Sequence, residues 1–340
     1  MSNLLEERPC CLVLGAGASR AVSYVNTGSI PSPLDYDFFD MLQRVECKDK
    51  EDDKAVRRIL ALLPQVPHAN QNSMERAFYT MHLRAYLDEK LANAKSSEKS
   101  QNVIRDFARA IQTILRAAHG KRTCTYHSQI IESLTGKDLI LSSNYDLVAE
   151  RALRQAAESR MVNFGEWIYG IGEQPKDPLI PNLVKLHGSS NWKVETENSL
   201  TVRTKAWSDF DGAPGYRGHA GKGSFFPIFL PFWDKRIEHE PWLEIWQFAF
   251  KNLQACNSLI VWGYSLPVTD VKAREFFYLA LKHSVLLPLS SRRIRLCVID
   301  PSAETRQRWR ELYPQAQYWQ YADIKDFFSQ PPNWFKIQGS

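Results

Sequence analysis

Residues 11–19, reading CLVLGAGAS, constrain this chain more than any other stretch. Leu12, Val13 and Leu14 form an apolar run without alternation, the pattern of a short strand buried on both faces of a parallel sheet. Gly15 and Gly17 follow at once, so the chain leaves that strand through a sharp turn of bare backbone. A helix start comes next, and N–H groups at a helix start attract phosphate oxygens. The pattern stops at GxG, because Arg20 stands where a dinucleotide-binding turn has its third glycine. The stretch is either a phosphate-binding turn or a plain tight passage from strand to helix.

Bulk properties narrow the class. The 340 residues allow one large domain or two small ones, and 44% apolar with 24% charged residues can bury a sizeable core. A formal net charge of +5 is mild and fits an anionic small ligand. Arg203, Lys205, Arg217 and Lys222 are scattered through one segment rather than forming a stripe, so direct nucleic-acid binding is not expected. Cys10, Cys11, Cys47, Cys124, Cys256 and Cys297 include no CxxC pair, and read as buried thiols in a reducing compartment. His68, His82, His119, His127, His219, His239 and His283 show no metal-ligand spacing and read as structural, so no metal is expected. The leading MSNLLEERP carries acids where a secretory leader is basic and then apolar. No apolar run approaches the ~20 residues of a membrane span, and a soluble cytoplasmic protein is expected.

The order of elements predicts an α/β fold with a Rossmann-like, mainly parallel sheet and an inserted helical module. After the glycine turn, residues 23–35 are polar and rich in Gly and Pro; Asp35, Asp37 and Asp40 lie where a ribose-gripping acid would sit, yet no strand precedes them. Residues 36–134 read as helical, with KSSEKSQN at 95–102 as a polar loop. Val103, Phe107, Ile111, Ile114, Leu115 and Ala118 then form one face of a long amphipathic helix. Strand–helix alternation resumes near residue 135 and continues to about 325, so segments 9–35 and 135–325 form the core of a single domain. Residues 195–224 read as a surface loop or small β excursion, and 225–235 as an apolar strand broken by two prolines. Pro241 opens a helix, and the 323–335 tail either packs as a helix or lies loosely. Trp233, Trp242 and Trp246 crowd together and read as core or subunit interface rather than as a base-stacking surface.

Ligands of such sheets bind beyond the carboxyl ends of the strands. Those ends carry GAGAS (15–19), SSNYD (142–146), HGSSNW (187–192), LPFWDK (230–235), GYSLPVTD (263–270) and IDPSA (299–303), with polar and ionisable residues recurring on one rim. Each has a bland alternative: Asn144, Asp146 and Asp270 suit the start of a helix, Asp300 a turn, and His187 a strand-end cap. Glu75 and Arg76 face either the pocket or solvent.

In this order and spacing, GAGAS, SNYD, LHGS, GYSL and a strand ending IDPS resemble the sirtuin-like family, in particular the NAD-consuming effectors of bacterial anti-phage systems. The resemblance covers residues ~9–30 and ~135–320. It implies that Gly15, Ala16, Gly17, Ala18 and Ser19 hold the NAD diphosphate. It also implies that Asn144 and His187 are the catalytic pair, with Asp146 in the nicotinamide pocket. Gly263, Tyr264 and Ser265 would contact the adenosine phosphate and ribose, and Asp300 would lie near the adenine ribose. Protein-deacylating sirtuins carry four zinc-binding cysteines after the HG strand, whereas residues 189–225 here hold none, which turns the expectation from deacylation toward NAD hydrolysis. The segment 28–39 resembles the family's mobile cofactor loop but lacks its Phe-Arg pair.

Cleaving the ribose–nicotinamide bond passes through a cation-like sugar, as glycoside cleavage does. Asn144 offers an amide with donors and an acceptor for water or a ribose hydroxyl, and His187 a base of unperturbed pKa ~6.5. The expected activity is an NAD+ glycohydrolase, which by the resemblance would deplete NAD during phage infection. Because unrestrained hydrolysis would kill the host, gating is expected through homo-oligomerisation or a separate regulatory partner, an ATPase or nucleotide-sensing subunit. A non-catalytic NAD or ADP-ribose sensor, a deacylase and, last, a dehydrogenase are the alternatives.

Overall fold

Among the described residues the strands are, in chain order, β1 (Cys10–Leu14), β2 (Leu139–Ser142), β3 (Asn182–Lys185), β4 (Trp192–Thr196), β5 (Ser199–Val202), β6 (Ser258–Trp262), β7 (Arg295–Ile299) and β8 (Gln317–Tyr321). In this computed structural model the described residues are 9–26, 30–47, 49–92, 97–120, 122–170, 177–196, 199–202, 237, 242–286 and 294–337. Six strands form one parallel sheet in the order β3-β2-β1-β6-β7-β8, and β4 and β5 pair as a separate antiparallel hairpin. The α/β class expected from the alternation is therefore the observed one.

Every residue of β1, β2, β3 and β6 is buried, as strands covered on both faces require. β8, at one edge, is only half covered. Asp138 pins the entry of β1 to that of β2 by accepting a hydrogen bond from the Cys10 amide (2.7 Å). At the other end Leu14, Ser142, Lys185, Trp262, Ile299 and Tyr321 lie on one register level. The chain runs outward from β1 in one direction and from β6 in the other. The switch in strand order thus falls between β1 and β6, where an open α/β sheet leaves a crevice at its carboxyl edge.

Between β1 and β2 the helices are α1 (Ala16–Arg20), α2 (Val22–Val25), α3 (Phe38–Gln43), α4 (Lys50–Leu62), α5 (His68–Gln71), α6 (Met74–Ala92), α7 (Ser97–His119) and α8 (Thr125–Glu132). The rest are α9 (Val148–Ser159), α10 (Trp242–Ala255), α11 (Val271–Leu286), α12 (Ala303–Leu312) and α13 (Ile324–Ser329). Helices α3, α4, α6 and α7 enclose a second core, separate from that of the sheet, in which the Phe107 ring meets Phe78 (4.6 Å between centroids) and Phe38 (5.7 Å). Leu147, at the entry of α9, belongs to this second core and joins it to the sheet.

Residues 97–102 of the polar run are not the expected loop, because α7 begins at Ser97. Packing of Phe107, Ile111, Ile114 and Leu115 carries the helix, and its first turns need no apolar residue. Trp242 and Trp246 are core residues. In the tail, α13 is capped by Asp323 and buries Phe327. The expectations for residues 203–235, including Trp233 and the LPFWDK tip, and for Pro241 lie outside the described residues.

Candidate active site at the switch point

Three glycines bring the tips of β1 and β6 into backbone contact. The Gly15 amide donates to Trp262 O (3.0 Å), Gly17 N to Gly263 O (3.0 Å) and Gly263 N to Ile299 O (2.9 Å). A Cβ on Gly263 would stand 2.2 Å from Ala18 N, and its φ of +64° is already in the left-handed region. Gly263→Ala is therefore expected to cost about 2–5 kcal/mol from overlap and strain together. In a thermal melt that is a fall of roughly 3–7 °C, and an unchanged midpoint would refute the packing.

The same contacts consume amides that the sequence suggested for phosphate. Gly17 N is bonded to Gly263 O and Ala18 N to Gly15 O (3.0 Å), while Ala18 and Ser19 are buried. Ala16 is the residue of the turn that faces outward. Arg20, in place of a third glycine, donates to Asp37 (2.5 Å), which also accepts from Leu34 N (2.7 Å), so α1 is tied to the 30–37 segment. Asp35 accepts from the amides of Met74 and Glu75 at the start of α6. These two acids thus have structural partners, in keeping with the lack of a strand before them.

Asn144 lies two residues beyond Ser142 and His187 two beyond Lys185, and those two strand residues are register partners. The Asn144 Nδ2 donates to Gly15 O (2.7 Å) and to Ser19 Oγ (2.8 Å), and Ser19 Oγ donates to Asp146 Oδ2 (2.6 Å). A carbonyl cannot donate, so the amide orientation is fixed and both its hydrogens are committed. Asn144 therefore offers a ligand its Oδ1 acceptor, not the donors expected from sequence. Asp146 caps α9 through Val148 N (3.0 Å). Burial raises its carboxyl pKa, but His119, Lys185 and the Ser19 hydroxyl outweigh this and hold it below its usual value.

His187 Nε2 lies 3.0 Å from Asp270 Oδ2, both side chains being buried. Asp270 Oδ2 also accepts from Tyr264 OH (3.2 Å), and Oδ1 accepts from Ala273 N (3.3 Å), capping α11. Tyr264 thus reaches Asp270, and its ring lies 6.2 Å from Phe277 and 6.3 Å from Trp309. Ser265 is exposed, and its carbonyl accepts from Arg308 (2.8 Å). Tyr145 lies 6.5 Å from the His187 ring, bringing the β2 and β3 tips together. Asp300 sits beyond β7, where its Oδ1 accepts from Ser302 N (2.8 Å) and burial raises its pKa.

Beneath this rim lies a buried polar cluster that sequence reasoning missed. Lys185 Nζ donates to the Asp146 carbonyl (2.6 Å) and pairs with Glu150 Oε1 (3.2 Å), both side chains being fully buried. Ser189 and Tyr169 donate to the same Glu150 oxygen. Nearby, burial pushes His119 down to about 4 and His127 to about 3. Both folded values lie below the unfolded value of ~6.5, so stability is full above that pH and falls as pH drops toward them, by on the order of 2 kcal/mol per imidazole at pH 5. Urea midpoints are expected to fall from pH 8 to pH 5, and a His119→Gln/His127→Gln variant to flatten the fall.

Among the described residues no three His, Cys, Asp or Glu side chains group as metal ligands, and no helix is long and apolar enough to cross a membrane. An open depression of about 700 Å³ lined by Arg295, Gln317, Trp319 and Trp334 lies at the opposite, amino end of β7 and β8.

No protein-family model and no curated protein matches this sequence. Among solved structures, a Sir2 homologue bound to NAD aligns over 94% of this chain and 86% of its own, at 15% identity and a TM-score of 0.41. A Sir2 enzyme structure aligns over 93% and 88%, at 11% identity and 0.40. A variant Sir2 homologue bound to ADP-ribose aligns over 98% and 100%, at 15% identity and 0.38. Likeness at this level carries no assignment of ligand or chemistry to the present chain.

Proposed function

We propose that the protein is an NAD+ glycohydrolase, releasing nicotinamide and ADP-ribose. One observation carries the reading. The β1–β6 switch point holds, on one rim, an amide oxygen fixed by Gly15 and Ser19 and an imidazole paired with a carboxylate. The sequence resemblance to sirtuin-like NAD-consuming effectors agrees with it.

In the proposed reaction the C1′–N bond to nicotinamide breaks and its electron pair stays on the ring nitrogen, which loses its positive charge. A water oxygen bonds to C1′, and the water's proton passes to His187 and then to solvent. Asn144 Oδ1 accepts a hydrogen bond from the attacking water or a ribose hydroxyl. Nicotinamide departs from a cationic state, so no strong general acid is needed. The outward face at Ala16 and Gly17 receives the diphosphate, while Ser19 acts through Asn144 and Asp146. Ser265 and Asp300 face the adenosine end.

An enzyme of this kind has to be restrained in its host, and we assign the restraint to self-assembly or to a separate partner, as in anti-phage defence. Chromatography of NAD incubated with the wild type, alone and with co-purifying partners, tests the reading. Intact NAD throughout would overturn it, and NAD binding without turnover would favour a sensor.

A further inference from the structure

We infer that Asp270 is a positioning residue for His187, fixing the imidazole as an Nε2–H tautomer with its lone pair on Nδ1, and that the inserted helical module holds Asp270 in place. The inference deepens the proposed function and rests on it for the reaction, but not for the geometry.

Asp270 Oδ2 lies 3.0 Å from His187 Nε2 and accepts at the same time from Tyr264 OH at 3.2 Å. A carboxylate only accepts, so the neutral imidazole must carry its hydrogen on Nε2. The turn that delivers Asp270 is held at several points. Trp309 Nε1 donates to Tyr264 O (2.9 Å) and Arg308 to Ser265 O (2.8 Å), while Leu266, buried and not glycine, is kept at a φ of +49°. Such strain persists only where the surroundings impose it. Thr269, next to Asp270, donates to the Glu75 carboxylate on α6. That hydrogen bond ties the module directly to the loop behind the histidine.

Among the described residues the ionisable groups facing the pair are Tyr264 from the β6 tip, Tyr145 from the β2 tip and Glu75 from α6; burial, and after it the charges of Asp270 and Glu75, raise the pKa of both tyrosines. The two carboxylates, Asp270 and Glu75, favour the imidazolium that forms when His187 takes a proton.

The test uses Asp270→Asn, because asparagine still caps a helix and the variant loses only charge and basicity. Nitrogen-15 histidine spectra across pH, with His187→Ala supplying the assignment, read tautomer and titration without substrate. Wild type is expected to show the Nε2–H form, and Asp270→Asn to titrate lower by about one unit or more with a mixed tautomer. The acid limb of NAD cleavage should move by the same amount, and kcat should fall by about 10²–10⁴-fold with KM little changed. Glu75→Gln should shift the titration the same way by less. Identical tautomer and titration in wild type and Asp270→Asn would overturn the inference. The expected spectra with no NAD cleavage by any form would support the pair and overturn the hydrolase reading alone.

Discussion

Nicotinamide release by the His187→Ala protein is expected to be about 10²–10⁴-fold slower than by the wild type, the usual loss for a positioned base. His187 is 8% exposed and its partners are side chains at the tip, so removing its ring leaves the sheet register untouched. NAD affinity by calorimetry should change little. Slow cleavage with retained binding is the signature expected, and equal rates would remove His187 from the chemistry. Asn144→Ala should lose a comparable factor, and a melt must accompany it. That variant also withdraws two hydrogen bonds from Gly15 O and Ser19, about 1–2 kcal/mol in all.

The largest expected loss of stability belongs to Lys185. Replacing it by methionine strands the Glu150 carboxyl in a site with no exposure, a change that costs about 3–5 kcal/mol when one member of a buried pair is removed. Burial already raises the Glu150 pKa and Lys185 opposes it, so without the lysine the carboxyl rises further. A carboxyl raised above its unfolded value of ~4.3 destabilises most at higher pH, and the penalty fades as pH falls toward that value. Lys185→Met should therefore melt roughly 4–7 °C below wild type at pH 8 and by less at pH 5. Adding Glu150→Leu should return most of the loss, because an apolar pair replaces an ionic one with little net change. A double variant as unstable as the single one would mean that the lysine's bond to Asp146 O, not the ion pair, carries the energy.

Much of the architecture was legible because parallel strands buried on both faces write themselves as unbroken apolar runs, and β1, β6 and β7 are such runs. The tips were legible as a set, since small and polar residues must follow each strand. Their pairings were not. Asp270 carries the local signature of a helix cap and does cap α11, and nothing nearby in the chain signals that its other oxygen meets His187 from β3. Glu150 and Lys185 hid in the same way, one inside a helix with ordinary charge patterning and the other closing a strand. The glycine turn has a packing role that its sequence does not show. Its glycines let β1 and β6 touch, and that contact takes up amides a phosphate would otherwise use. The long helical insertion was visible from its periodicity, but its contact through Glu75 to the rim depends on three-dimensional placement alone.

The position of β1 in the sheet has a consequence for synthesis. Its two neighbours begin only at residues 139 and 258, so β1 has no strand to pair with until more than a hundred further residues have been translated. At roughly 5–20 residues per second the wait for its first neighbour alone is on the order of ten seconds. The helices of 38–119, with local contacts and a core of their own, can consolidate during that interval. The helical core thus consolidates ahead of the strand that precedes it, which waits uncovered for its first neighbour.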